Sequence, residues 1–167
     1  MVERELLALR VAKLDGLTQS LNRTGFVAEA EKVFASSNGE RLTAYYFDLD
    51  DFKALNDVGG HELGDKALKV FSDGLHQRFH YTDLVGRLGC DEFMVLSRCN
   101  KREKDSQAAV EPIDKLNRYI DDSPLSKDDA PALRYSWGRQ TLKCHPTSIL
   151  TGFCGVRTMQ CTTKRKA

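Results

Sequence analysis

Leu42-Thr43-Ala44-Tyr45-Tyr46-Phe47 runs directly into Asp48-Leu49-Asp50-Asp51, and farther along Gly89-Cys90-Asp91-Glu92-Phe93 stands between two more apolar runs. A β-branched and aromatic run bounded by polar residues reads as a buried strand, so both acidic clusters fall where strands stop. If the two strands are neighbours, Asp48, Asp91 and Glu92 converge on one crevice, with a carboxylate charge that needs a hard cation to balance it. Alone, the first cluster is more often a solvated turn and the second an ordinary hairpin tip. An EF-hand is excluded, because Phe52 and Lys53 occupy places where that loop needs a ligand and a glycine. In Gly64-Asp65-Lys66 the lysine is followed by Ala67 where a Walker phosphate loop needs Ser or Thr, so that match fails.

Outward from this stretch the chain alternates between helical and strand patterns. Phe26, Ala30, Val33 and Phe34 recur at helical spacing over 22–35, and Ser36-Ser37-Asn38-Gly39 stops that helix. A strand over 41–47, a loop at 57–60 and a helix over 64–78 with Leu68, Phe71, Leu75 and Phe79 on one face come next. Strands over 83–86 and 93–97 joined near Gly89-Cys90 form a hairpin. A helix over 107–120 carries Val110, Ile113, Leu116 and Ile120, with Pro112 either in its first turn or kinking it. A loop over 121–131 and a strand over 132–137 follow, and 164–166 is a frayed basic tail. Before Asp15, residues 2–14 place Leu7, Val11 and Leu14 at helical spacing, as in a surface or linker helix. The whole is an α/β sandwich containing antiparallel strands.

The bulk properties narrow the function classes. A chain of 167 residues is one domain with a sizeable core. Lys+Arg 25 against Asp+Glu 24 leaves a formal charge of +1, without the basic excess of a DNA-binding protein. Five cysteines, odd in number and forming no C-x-x-C pair, argue against zinc or a disulfide framework and for free thiols in a reducing compartment. No stretch is apolar enough to span a bilayer, and residues 1–14 are too charged for a signal peptide, so the expected location is cytoplasmic.

Three motifs in order carry a resemblance. Asp15-Gly16-Leu17-Thr18-Gln19-Ser20-Leu21-Asn22-Arg23 is similar to D-x-L-T-G-L-x-N-R. Phe47 to Asp57, with Gly60-His61-Glu62-Leu63-Gly64-Asp65, and then Asp83 to Phe93 complete the pattern of the GGDEF family of diguanylate cyclases, which the chain resembles from Asp15 to about Leu96. The resemblance implies a domain over 15–167 preceded by a linker helix over 1–14, and a palm-like βααββαβ sandwich whose central, mostly antiparallel sheet is flanked by helices. It also implies condensation of two GTP into cyclic di-GMP with release of two pyrophosphates.

By the same resemblance, Mg²⁺ (or Mn²⁺) is held by Asp48, the Leu49 carbonyl, Asp91 and Glu92, with Glu92 and Asp91 in the catalytic role. Asn56 and Asp65 read the guanine edge. Lys53 lies near the phosphates, and Phe52, Gly89 and Cys90 complete the substrate surface. Each domain holds one GTP, so a homodimer is required, and a sensory or regulatory domain outside the chain is expected.

Three departures bear on activity. Cys90 replaces the second signature glycine, and if the turn needs φ > 0 the side chain costs about 1–2 kcal/mol. His80 and Asp83 stand where the family's R-x-x-D inhibitory motif has its arginine and aspartate, so the inhibitory site is degenerate. The family's late lysine has only Lys164 as a counterpart. Two functions of different class follow: a diguanylate cyclase of low activity, or an inactive receptor for GTP or cyclic di-GMP.

Overall fold

The computed structural model describes residues 12–37, 39–98, 111–126, 131–143 and 163–164. Among them the elements run β1 (Leu21–Asn22), α1 (Arg23–Ser36), β2 (Arg41–Asp50), α2 (Phe52–Arg78), β3 (Leu84–Arg87), β4 (Glu92–Arg98), α3 (Glu111–Asp121), a short 3-10 turn (Pro124–Ser126), β5 (Arg134–Lys143) and β6 (Thr163–Lys164). The strands form one sheet in the order β1-β3-β4-β2-β5-β6. β1 lies parallel to β3, while β3 with β4, β4 with β2, β2 with β5 and β5 with β6 are antiparallel. The palm-like sandwich is therefore present, with βααββαβ running from β2 to β5 once α2 is counted as two helices meeting at Gly60.

β2 is buried on both faces because its side chains alternate between two helical layers. Leu42 and Ala44 pack with Met94, Leu96 and, from α1, Phe26 and Ala30. Tyr45, Phe47 and Leu49 point the other way, onto Leu68, Phe71 and Leu75 of α2 and Ile113, Leu116 and Ile120 of α3. Phe71 is the centre of that larger core, its ring 5.7 Å from Phe47, 5.2 Å from Phe93 and 5.1 Å from Tyr135. A fully buried Phe in such a setting contributes about 3–5 kcal/mol relative to Ala.

Local chemistry sets the ends of the elements. The Asn22 side chain accepts from the Gly25 amide and caps α1. Gly60 lies at φ 71°, ψ 176°, a conformation essentially reserved for glycine, and breaks α2 into two arms. Pro112 falls in the first turn of α3, where its missing N–H is harmless.

Several boundaries differ from the expected ones. β2 runs on to Asp50, so Asp48 sits inside the strand and not past its end. Residues 57–59 are helical, and α2 begins at Phe52, well before the expected Gly64. β5 runs to Lys143 because its full length pairs with β2, which a fading apolar pattern does not reveal. Ala12 and Lys13 form a turn and Leu14 bridges to Leu21, so the expected N-terminal helix does not reach these residues. Lys164 pairs with Ser136 in β6 and is not part of a frayed tail. The rest of the expected linker helix, Val110 and four of the five cysteines fall outside the described residues.

Candidate functional site

The two acidic clusters meet at the end of the β2–β4 ladder. Asp48 is the direct cross-strand partner of Glu92, and the Leu49 amide donates to the Asp91 carbonyl at 3.1 Å, fixing the turn against the strand. Asp48 is half-buried, and its carboxyl is held above the usual carboxylate range by burial first, then by the charges of Asp91, Glu92 and Asp50. Asp50 accepts from the Ser136 hydroxyl at 2.7 Å and is thereby fixed to β5.

Glu92 is occupied on both of its oxygens. Tyr46 donates its hydroxyl to Oε1 at 2.6 Å, and Arg23 approaches Oε2 at 3.7 Å while its Nε donates to the Leu88 carbonyl at 2.9 Å. The Tyr46 hydroxyl is held well above its ordinary pKa by burial, by its bond to Glu92 and by the surrounding carboxylates. Gly89 lies directly under this carboxylate: a Cβ there would stand 2.5 Å from Glu92 Oε2, so a larger residue would require the Glu92 side chain to move.

Cys90 is exposed and free, and its backbone lies outside the left-handed region, which among the described non-glycine residues only Gln19 and Asp51 adopt. The expected backbone cost at Cys90 therefore does not arise. The Cys90 carbonyl accepts from Arg87 Nη2 at 2.7 Å, and Arg87 Nη1 donates to Asp15 Oδ1 at 3.1 Å. Asp15 also accepts from the Thr18 amide at 2.9 Å and hydroxyl at 2.7 Å, so the first motif is joined to the signature turn by one ion pair.

On α2, Asn56 is half-buried, with its Nδ2 donating to the Phe52 carbonyl at 3.1 Å. Gly64 packs so closely against Asn56 and Phe52 that a Cβ would collide with Asn56 Oδ1. The residue preceding Asp65 is thus pressed onto Asn56 across the Gly60 break, while Asp65 and Lys53 themselves are exposed. His80 and Asp83 lie elsewhere, at the turn from α2 to β3. The Asp83 carboxylate accepts from the His80 amide at 2.9 Å and also from the Ser97 side chain and the Arg98 amide of β4, and His80 Nδ1 is 2.7 Å from the Thr82 hydroxyl, so Asp83 ties this turn to β4.

Among the described residues no group of three or more His, Cys, Asp or Glu side chains is arranged to hold a metal ion. A smaller set fits one: Asp48 and Asp91 are both acidic, their segments are tied by the Leu49–Asp91 backbone hydrogen bond, and the carboxyl of Asp48 is raised by burial and then by the charges of Asp91, Glu92 and Asp50, a repulsion that a cation would relieve. Tyr46, Arg23, Arg87 and Ser136 were not expected at the site. Tyr46 is two residues before Asp48 and so shares its strand face, a signal masked by its place in an apolar run.

A protein-family model described as "Diguanylate cyclase, GGDEF domain" matches residues 12–149. The chain belongs to the GGDEF domain family. This GGDEF domain is 36% identical over 94 residues to the cyclic di-GMP phosphodiesterase NbdA of Pseudomonas aeruginosa, a match covering 53% of the chain and 12% of NbdA. It is 28% identical over 137 residues to the diguanylate cyclase DosC of Shigella sonnei, covering 80% of the chain and 29% of DosC. The chain thus spans less than a third of either relative. The crystal structure of the coiled coil and GGDEF domain of DgcB from Caulobacter crescentus, in complex with c-di-GMP, superposes with a TM-score of 0.74 at 19% identity, covering 95% of this chain and 87% of that one. That likeness shows the same palm-like fold.

Proposed function

We propose that this GGDEF domain binds GTP with a divalent cation and, as a face-to-face pair, condenses two GTP into cyclic di-GMP. The observation that carries the reading is the backbone hydrogen bond from Leu49 to Asp91, which ties the signature turn to the strand beside Asp48, whose carboxyl is pushed upward by burial and then by the charges of Asp91, Glu92 and Asp50. In each half-reaction a ribose 3′-oxygen forms a bond to the α-phosphorus of the other GTP, the bond from that phosphorus to the bridging oxygen breaks, and pyrophosphate leaves. Asp48, Asp91 and the Leu49 carbonyl would hold Mg²⁺ or Mn²⁺, which when bound supplies neutralisation of phosphate charge. Asn56 and Asp65 would take the guanine edge, the carboxylate accepting from the ring N–H and amino group that adenine cannot offer in that pattern. Phe52, Lys53, Gly89 and Cys90 would border the nucleotide, and Glu92 would complete the metal site or assist removal of the 3′-hydroxyl proton.

A second reading, a receptor for GTP or cyclic di-GMP without turnover, is favoured by two features: Glu92 is engaged by Tyr46 and Arg23, and the Cys90 thiol stands where the family has only a hydrogen. Relatives named as a cyclase and as a phosphodiesterase are both similar to the chain, so similarity alone does not choose between them.

Purified protein incubated with GTP and Mg²⁺ or Mn²⁺, followed by chromatography for cyclic di-GMP, separates the two. The cyclase reading expects product from the wild type and none from Asp48→Ala. GTP binding without product supports the receptor, and failure to bind either nucleotide defeats both. Input would come from a sensory or regulatory domain joined through residues 1–14.

A further inference from the structure

Glu92 faces Asp48 directly across the β2–β4 ladder, and such cross-strand partners have Cβ atoms about 4.5–5.5 Å apart, so a change of rotamer is enough to bring the two carboxylates together. The Glu92 side chain is nevertheless committed elsewhere. Tyr46, whose own cross-strand partner is Met94, reaches diagonally to Glu92 Oε1, and the 2.6 Å separation is that of a charge-assisted O–H···O⁻ bond. Oε2 is turned over Gly89 with Arg23 at 3.7 Å.

We propose that Tyr46 is a positioning residue that restrains Glu92 from completing the metal set, and thereby sets how tightly the site takes a divalent cation. The inference rests on the reading that Asp48 and Asp91 hold that cation. Of the two latches, Tyr46 is the stronger. Its hydroxyl is half-buried and short-bonded, whereas Arg23 is largely exposed and at ion-pair distance only. Removing the hydroxyl keeps the ring in place and frees a carboxylate beside Asp48. Glu92 then adds an oxygen ligand and a negative charge to the set, which for a hard cation raises affinity.

Mn²⁺ alone, without nucleotide, is titrated into the full chain and its Tyr46→Phe, Tyr46→Phe/Glu92→Gln and Asp48→Asn variants, and bound metal is followed by calorimetry. Tyr46→Phe is expected to bind Mn²⁺ about tenfold more tightly than the wild type, the scale of one charge-assisted hydrogen bond. The double variant is expected to lose that gain, because the gain runs through Glu92. Unchanged or weaker binding by Tyr46→Phe, with Asp48→Asn still losing the metal, overturns the role of Tyr46 alone. Equal binding by Asp48→Asn and wild type, or no binding by any variant, removes the metal reading on which the proposal stands.

Discussion

Asp15 receives three hydrogen bonds on one carboxylate oxygen, from the Thr18 amide, the Thr18 hydroxyl and Arg87. Burial alone would raise its pKa, but these donors outweigh it and hold the carboxyl below the usual aspartate value. A depressed carboxylate contributes stability that is present above the unfolded pKa and is lost as pH falls through the folded one. Asp15→Asn is therefore expected to lower stability by about 1–2 kcal/mol at neutral pH, a charged hydrogen-bond network discounted for its partial exposure. Urea midpoints followed from pH 7 toward the acid transition check this. The gap between variant and wild type should close as pH drops below the ordinary aspartate value, and a gap of constant size would show that the carboxylate charge is not what Asp15 contributes.

At this scale the sequence shows which acids meet and hides what holds them. Asp48, Asp91 and Glu92 announce themselves as charge set against apolar runs, and the ladder does bring Asp48 opposite Glu92. The posture of Glu92 depends on Tyr46 and on Arg23, which comes from a helix far earlier in the chain, and no local pattern encodes that meeting. Cys90 is the reverse case. A side chain in place of a glycine suggests a strained backbone, but torsions are set by the whole hairpin, and here they suit any residue.

Among the elements, α2 carries a device that its periodicity only half discloses. Leu68, Phe71 and Leu75 mark the second arm clearly, because that arm is pressed into the core. The first arm exposes Lys53, Ala54, Asp57 and Val58 and buries only Leu55, so it lacks a legible apolar stripe. Gly60 joins the arms at a positive φ, with open space where a Cβ would stand. Gly60→Ala meets no neighbour and is strained only in its backbone, so it should cost about 1–3 kcal/mol. Thermal denaturation is the check, with GTP titration beside it, since the arms carry Asn56 and Asp65. A variant as stable as wild type would mean that the break does not depend on glycine.

For the whole molecule, the proposed chemistry places one GTP on each of two domains, so turnover belongs to a pair. Specific activity should fall on dilution, by up to about tenfold per tenfold dilution where the monomer dominates, as mass action requires. Initial rates measured across a dilution series, with sedimentation at the same concentrations, test this. Constant specific activity where the protein sediments as a monomer would show that one domain suffices. The sheet itself was legible as a class and less so as an order. The β3–β4 hairpin is local and easily read, whereas the pairing of β2 with β5 joins distant segments whose register is fixed only by contact.

That distant pairing matters for synthesis as well as for the finished fold. On the ribosome β2 emerges before both of its partners: one of its edges can find β4 only after Arg98 has left the exit tunnel, and the other stays open until Lys143 has followed. Until then the nascent chain carries a long apolar strand with free backbone donors and acceptors, the kind of surface that recruits chaperones or pairs with a neighbouring chain. Non-local closure of this kind is also slow, because the loop entropy is paid before any contact returns it. A stall or truncation before Arg134 would leave the chain with both carboxylate clusters synthesised and β2 still open along its β5 edge.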